Sequence, residues 1–179
     1  MRDLSNIETD DELWARWLTC PWVREFERGG CSPEDFATGM VDEWELEISA
    51  ATFLDAFAGW LGGPMPGAED LVDDVRRVVP TGCLSNTNAL HWQRHAAEWQ
   101  MVKAFEYRFL SFELGVVKPD RDLFERVASL LPVPRERVLF LDDNPPNVEG
   151  ASAAGFGAVR ARGVDEARQA LITAGVLAS

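Results

Sequence analysis

Apolar side chains in the first third of the chain recur at helical spacing. Trp14, Trp17 and Leu18 are three and four residues apart, which places them on one face of a helix. The Ser-Pro pair at residues 32–33 predicts an N-cap followed by the first turn of another helix. Strand-like alternation is not convincing anywhere in this part of the sequence. We therefore predict an N-terminal, all-helical unit over residues 1–66.

After the Gly- and Pro-rich segment at residues 62–67, helices and strands alternate. We predict helices at residues 68–78, 88–99, 120–131, 145–154 and 164–174. We predict strands at residues 80–84, 107–110, 138–141 and 158–160. Short apolar strands that alternate with helices are typical of a parallel sheet covered on both faces. The pattern predicts an α/β unit with a Rossmann-like parallel sheet over residues 67–179.

The charge of the chain differs between these two parts. The 179 residues carry a formal net charge of −13, and residues 1–70 hold 16 acidic and 4 basic side chains. An acidic chain is a poor partner for a nucleic-acid backbone. Neither a signal peptide nor an apolar run long enough for a membrane span is visible, and three cysteines suggest a reducing compartment. We expect a cytoplasmic protein that binds neither nucleic acid nor membranes.

Polar residues follow three of the predicted elements at the edge where parallel sheets bind ligands. Asp142 and Asp143 follow an apolar strand, and adjacent carboxylates there favour Mg²⁺; alternatively, one of them only caps the next helix. Ser85 and Asn86 follow another strand, where a hydroxyl and backbone N–H groups form either a phosphate cradle or ordinary turn contacts. Lys118 precedes a proline and is one of two lysines, so it is either a cation for the site or an exposed lysine.

Three segments, in this order, resemble the second, third and fourth motifs of the haloacid dehalogenase-like hydrolase superfamily. They are residues 84–88, 117–120 and 140–144. Residues 26–36 resemble the helical cap of the branch that includes sugar-phosphate phosphatases. The resemblance implies a parallel sheet with a helical cap and hydrolysis of phosphate esters.

The resemblance also implies a role for each matching residue. The phosphoryl group would be bound by Ser85, the Asn86 backbone and Lys118, whose charge would lie between the nucleophile and the phosphate. Mg²⁺ would be held by Asp142 and Asp143, with Asn147 in a supporting position.

The first motif of that superfamily has no counterpart in this sequence. It is an apolar strand in the middle of the sheet that ends in Asp-x-Asp and supplies the nucleophile and the general acid/base. Asp10 and Asp11 have the wrong spacing and do not follow an apolar run. We therefore expect an N-terminally truncated chain without its first central strand, in which the strands at 80–84 and 138–141 either leave a gap or pair directly.

Together these features predict a Mg²⁺-dependent phosphatase of a small phosphorylated metabolite that is weak or inactive without its nucleophile. The alternative is a catalytically inactive protein of the same fold that binds phosphate or a partner. A dehalogenase is disfavoured because that branch does not need Mg²⁺. His91 and His95 are predicted to lie on a helix surface or at the substrate entrance, and Cys83 is predicted to be a buried thiol.

Overall fold

The described residues of the first part of the chain form four α-helices. The computed structural model describes residue 7 and residues 9–178. The helices are α1 (Asp10–Thr19), α2 (Pro21–Glu27), α3 (Pro33–Glu43) and α4 (Ala50–Ala58). Helix α3 begins as the sequence predicts, because the Ser32 hydroxyl caps it by accepting a 3.0 Å hydrogen bond from the Asp35 N–H.

The second part alternates between helices and strands. The helices are α5 (Ala68–Arg76), α6 (Ala89–Glu98), α7 (Gln100–Ala104), α8 (Ser111–Leu114), α9 (Arg121–Leu130), α10 (Pro145–Ala153) and α11 (Gly163–Thr173). The strands are β1 (Gly82–Ser85), β2 (Tyr107–Leu110), β3 (Leu139–Asp142) and β4 (Gly157–Arg160). The predicted α/β class with a helical cap is confirmed, and the short helices α7 and α8 were not predicted. None of the described helices is both long and apolar enough to cross a membrane.

The four strands form two separate parallel pairs. Strand β1 pairs with β2 from Gly82 opposite Tyr107 onwards, and β3 pairs with β4 from Leu139 opposite Gly157 onwards. Strands β1 and β3 belong to different sheets, so they do not pair directly. Residues 10–13 lie in helix α1 and form no strand between them. The expectation of a missing strand also concerns residues 1–6 and 8, which lie outside the described part of the chain.

The helical unit has an aromatic core. Phe36 and Phe53 are fully buried, and Phe36 stacks on Phe26 with ring centroids 4.3 Å apart. Phe57 lies 5.0 Å from Phe36 and extends this cluster towards Trp17. Helices α2 to α4 bury their apolar faces in this cluster, whereas α1 contributes only the partly buried Leu13 and Trp17. Trp14 and Leu18, predicted to share a face with Trp17, are exposed.

Polar contacts at two places help to join the helical unit to the α/β unit. On α2, the Arg24 guanidinium forms an ion pair with Asp120, directly before α9. At the end of α4, the Phe57 and Ala58 carbonyl oxygens accept hydrogen bonds from His91 Nε2 (2.8 Å) and Arg94 Nη1 (3.1 Å) on α6. These contacts place the helical unit beside the carboxyl ends of β1 and β2.

Candidate functional site

The loop after β1 is fixed by hydrogen bonds to Ser111, the first residue of α8. Ser111 is fully buried, and its hydroxyl accepts a 2.9 Å hydrogen bond from the Thr87 N–H and donates one of 2.9 Å to the Thr87 carbonyl oxygen. Ser85 is the last residue of β1, one position beyond the predicted strand. Its Oγ lies 3.4 Å from the Asn86 carbonyl oxygen, longer than an ordinary O–H···O hydrogen bond. The Ser85 hydroxyl can therefore turn to a ligand at little cost.

Asn86 connects this loop to the segment that carries Lys118. Its side-chain Nδ2 donates to the Lys118 carbonyl oxygen at 3.0 Å, and its Oδ1 accepts from the Lys118 N–H at 2.7 Å. The paired hydrogen bonds satisfy both backbone groups of Lys118. The side chain of Asn86 therefore orients Lys118, a contact that the sequence did not predict.

The Lys118 ammonium lies between the two sheets. Its Nζ donates to Asp142 Oδ2 at the end of β3 (2.7 Å) and to the Leu84 carbonyl oxygen in β1 (3.2 Å). The Lys118 and Asp142 side chains are only 11% and 7% exposed. Lys118 is thus a buried cation at the centre of the site, and the alternative of an exposed lysine is wrong.

Asp142 is held by several donors. Its Oδ1 accepts hydrogen bonds from the Asn144 N–H (2.9 Å) and from Asn147 Nδ2 (3.0 Å). Burial opposes ionisation of this carboxyl, but the Lys118 charge and these hydrogen bonds outweigh burial and hold its pKa below the usual value. Asp142 is therefore an ionised carboxylate at neutral pH. Asn147, expected in a supporting position, is buried and contacts Asp142 through this hydrogen bond.

The oxygen donors at the end of β3 are of the kind that Mg²⁺ prefers. Asp143 is exposed, while Asp142 faces Lys118. Mg²⁺ commonly takes one or two carboxylates and keeps several waters, so this pair suits it in type and number. Across the described residues no group of three or more His, Cys, Asp or Glu side chains is placed to hold a metal. Any Mg²⁺ bound here would depend on Asp142, Asp143 and water or substrate oxygens.

Glu27 is the last residue of α2, and its side chain is partly buried. Burial raises its pKa to about 7, although Lys118 and Arg24 both favour the charged form. Burial is the larger effect, so the carboxyl is harder to ionise than an ordinary glutamate. This partial burial could not be predicted from the sequence, because it depends on how the helical unit and the α/β unit pack.

The remaining candidates, His91, His95 and Cys83, lie in partly or fully buried environments. His91 is buried rather than on the helix surface; its Nε2 bonds Phe57, and its ring stacks on the Phe57 ring at 4.2 Å. His95 stacks on Trp99 at 4.1 Å. Burial lowers the pKa of both histidines and raises that of the partly buried Cys83 thiol. These environments favour neutral side chains that contribute to packing.

Comparison with known proteins identifies the family. A model described as haloacid dehalogenase-like hydrolase matches residues 22–155. This match covers most of the chain, and the chain belongs to the haloacid dehalogenase-like hydrolase family. The resemblance read from the three motifs is thereby confirmed.

Solved structures with the same fold support this assignment. A HAD family enzyme from Bacteroides thetaiotaomicron, crystallised with magnesium and inorganic phosphate, is 21% identical over 93% of each chain, with a TM-score of 0.74. A predicted HAD-like hydrolase from Porphyromonas gingivalis is 24% identical over 89% of this chain and 82% of its own, with a TM-score of 0.72. L-2-haloacid dehalogenase from Xanthobacter autotrophicus is 22% identical over 93% of this chain and 70% of its own, with a TM-score of 0.64. These similarities show a common fold with a helical cap.

Proposed function

We propose that the site is a Mg²⁺-dependent phosphomonoester site, and that the function of this hydrolase is to remove phosphate from a small metabolite. The observation that carries the proposal is the position of the Lys118 ammonium. It lies between the end of β1, where Ser85 has an available hydroxyl, and the end of β3, where Asp142 and Asp143 lie. A cation, a hydroxyl and two carboxylates at one sheet edge suit a phosphate accompanied by a divalent cation.

Each residue has a definite task in this proposal. The Ser85 hydroxyl donates to a phosphate oxygen, and Lys118 supplies positive charge beside the same group. Asn86 and Asn147 are positioning residues, since they orient Lys118 and Asp142 respectively. Mg²⁺ would be held by Asp142 and Asp143 and, when bound, would neutralise charge on phosphate oxygens.

A second candidate is a protein that binds phosphate without hydrolysing it. Within residues 9–178 no strand lies between β1 and β3, so the described residues deliver no carboxylate nucleophile from that position. Covalent phosphoryl transfer requires a nucleophile in line with the leaving group. Phosphate binding is therefore the property that both candidates share, and turnover separates them.

Calorimetric titration of inorganic phosphate, with and without Mg²⁺, tests the shared property. We expect Mg²⁺-dependent binding that weakens about tenfold or more in Ser85→Ala, because a hydrogen bond to a charged group contributes about 1.5–3 kcal/mol. Asp143→Asn should abolish the Mg²⁺ dependence. Ser129→Ala is the matched control, since that hydroxyl bonds the Arg126 carbonyl oxygen within α9. Phosphate binding that neither site variant alters would contradict the proposal.

Hydrolysis of p-nitrophenyl phosphate by the same proteins separates the two candidates. Turnover that requires Mg²⁺ and is lost in Asp143→Asn supports the phosphatase. Phosphate binding without turnover supports the binding protein. Loss of turnover on changing Asp10 or Asp11 would assign a catalytic role to residues whose spacing does not match the expected nucleophile.

A further inference from the structure

The loop between β1 and α6 is buried although it forms no regular structure. Thr87 and Asn88 are only 6% and 4% exposed, and residues 86–88 lie outside any helix or strand. Buried backbone N–H and C=O groups need hydrogen-bond partners, which a loop cannot take from a strand ladder. Thr87 obtains both partners from Ser111, because its N–H donates to Ser111 Oγ and its carbonyl oxygen accepts from the same hydroxyl, each at 2.9 Å. The loop therefore takes its position from Ser111.

Ser111 is itself held from two sides. It is fully buried and directly follows β2, whose last residue, Leu110, pairs with Ser85 at the end of β1. The residue after it, Phe112, lies against the end of α2, since a Cβ on Gly29 would be 2.5 Å from the Phe112 carbonyl oxygen. The Ser111 hydroxyl is thus fixed between a strand ladder and a close backbone contact. A hydroxyl can donate and accept at the same time, so it can bond both backbone groups of one residue.

The contact between Ser111 and Thr87 decides which backbone donor of the loop is available to a ligand. The Thr87 N–H is used by Ser111, whereas the Asn86 N–H forms no hydrogen bond within the described part of the chain. Asn86 directly follows Ser85, whose hydroxyl is also available. The Asn86 side chain in turn orients Lys118. The residue that Ser111 holds is therefore the neighbour of the residue that connects the donors of the candidate phosphate site.

We propose that Ser111 is a positioning residue for the phosphate group. By holding Thr87, its hydroxyl sets the directions in which the Asn86 N–H and the Ser85 hydroxyl donate to phosphate oxygens. The proposal rests on the phosphomonoester site proposed above. Without the Ser111 hydroxyl, the Thr87 N–H and carbonyl oxygen would be buried without partners, and the loop would have to move to satisfy them. That movement would turn both phosphate donors away from the ligand.

Calorimetric titration of inorganic phosphate in Mg²⁺ tests this role without requiring turnover. We expect Ser111→Ala to bind phosphate about fivefold or more weakly than wild type, because the hydrogen bonds that hold the loop are lost. Ser111→Cys keeps a weak donor and acceptor of similar size, so it should recover part of the affinity. In nuclear magnetic resonance spectra, phosphate should shift the Asn86 amide signal of the wild type and shift it less in Ser111→Ala. Circular dichroism establishes that each variant is folded.

Ser32→Ala is the matched control, because it also removes a serine hydroxyl that bonds a backbone N–H, but at the start of α3. It should make the fold less stable and leave the phosphate affinity at the wild-type value. Unchanged affinity in Ser111→Ala, or an equal loss in Ser32→Ala, would overturn the role of Ser111 while the phosphate site stands. If Ser111→Ala does not fold, unchanged affinity in Ser111→Cys has the same meaning. Absence of phosphate binding in the wild-type chain would instead overturn the phosphomonoester site and this role with it.

Discussion

The helical unit and the α/β unit bury their apolar side chains in different ways. In the helical unit, one aromatic cluster joins α1 to α4 around Phe36 and Phe53. In the α/β unit, one cluster around Phe124 touches both sheets, and a smaller one around Leu171 packs against β3 alone. The helical unit therefore has a single closed core. The α/β unit has two cores and two sheets.

The comparison shows what holds the α/β unit together where its strands do not pair. On one face, α9 and α10 cover both sheets with apolar side chains. At the carboxyl edge, the connection is polar: Lys118 bonds β1 through Leu84 and β3 through Asp142. Because no strand hydrogen bonds join β1 to β3, the buried Lys118–Asp142 ion pair supplies part of the connection between the two sheets. The same ion pair is the centre of the candidate site.

The largest expected effect distinguishes the two kinds of core. Phe36→Ala should lower the free energy of unfolding by about 3–5 kcal/mol, because the residue is fully buried and contacts three other rings. Leu171→Ala in the smaller cluster should cost about 2–3 kcal/mol, near the lower end for such changes. Urea denaturation measures both.

Trp14→Ala is the control for this pair, because Trp14 is 59% exposed and its loss should cost about 0.5 kcal/mol or less. Equal costs for Phe36→Ala and Leu171→Ala would mean that the α/β unit is as tightly packed as the helical one. The contrast between one closed core and two smaller ones would then be wrong.

A smaller effect is expected from breaking the polar bridge between the sheets. Lys118→Met leaves the Asp142 carboxylate buried without its cation and should cost about 3 kcal/mol at neutral pH. The pKa of Asp142 is lowered in the folded protein, so its contribution is present above the ordinary value of 3.8 and is lost as the pH falls below that value. Urea denaturation at pH 7 measures the cost.

Lys103→Met, at the other lysine, is the matched control because Lys103 is exposed on α7. It should leave the free energy of unfolding within about 0.5 kcal/mol of wild type. If Lys118→Met were equally harmless, the ion pair would not be what connects the two sheets.

The sequence predicted the positions of the site better than its internal contacts. Ser85 and Asp142 could be predicted as candidates because they follow apolar stretches of predicted parallel strands, whose carboxyl ends meet at one edge. Lys118 could be predicted because it precedes a proline and is one of two lysines. Two features could not be predicted. The pairing of Lys118 with Asp142 depends on the distance between two sheets that do not share a ladder. The burial of Glu27 depends on how α2 packs on α8, about 85 residues later in the chain.

The smallest expected effect concerns the joint between the two units, where His91 of α6 bonds the end of α4. Burial lowers the pKa of His91, with a further contribution from Arg94, so the folded protein binds fewer protons here than the unfolded chain. Stability should therefore fall as the pH drops below the ordinary histidine value of 6.5. Between pH 7.5 and 5.5, wild type should lose about 1 kcal/mol more than His91→Gln.

The difference in pH dependence between wild type and His91→Gln isolates His91, because the other groups with shifted pKa values are present in both proteins. His95 titrates in the same direction as His91, whereas the raised pKa of Glu27 makes the folded state more stable as the pH falls towards its ordinary value. These contributions largely cancel when the two pH dependences are subtracted. If urea denaturation of wild type and His91→Gln had the same pH dependence, the pKa of His91 would be the same in the folded and the unfolded chain. The joint between the units would then be held by packing and by Arg94, and not by a histidine that must remain neutral.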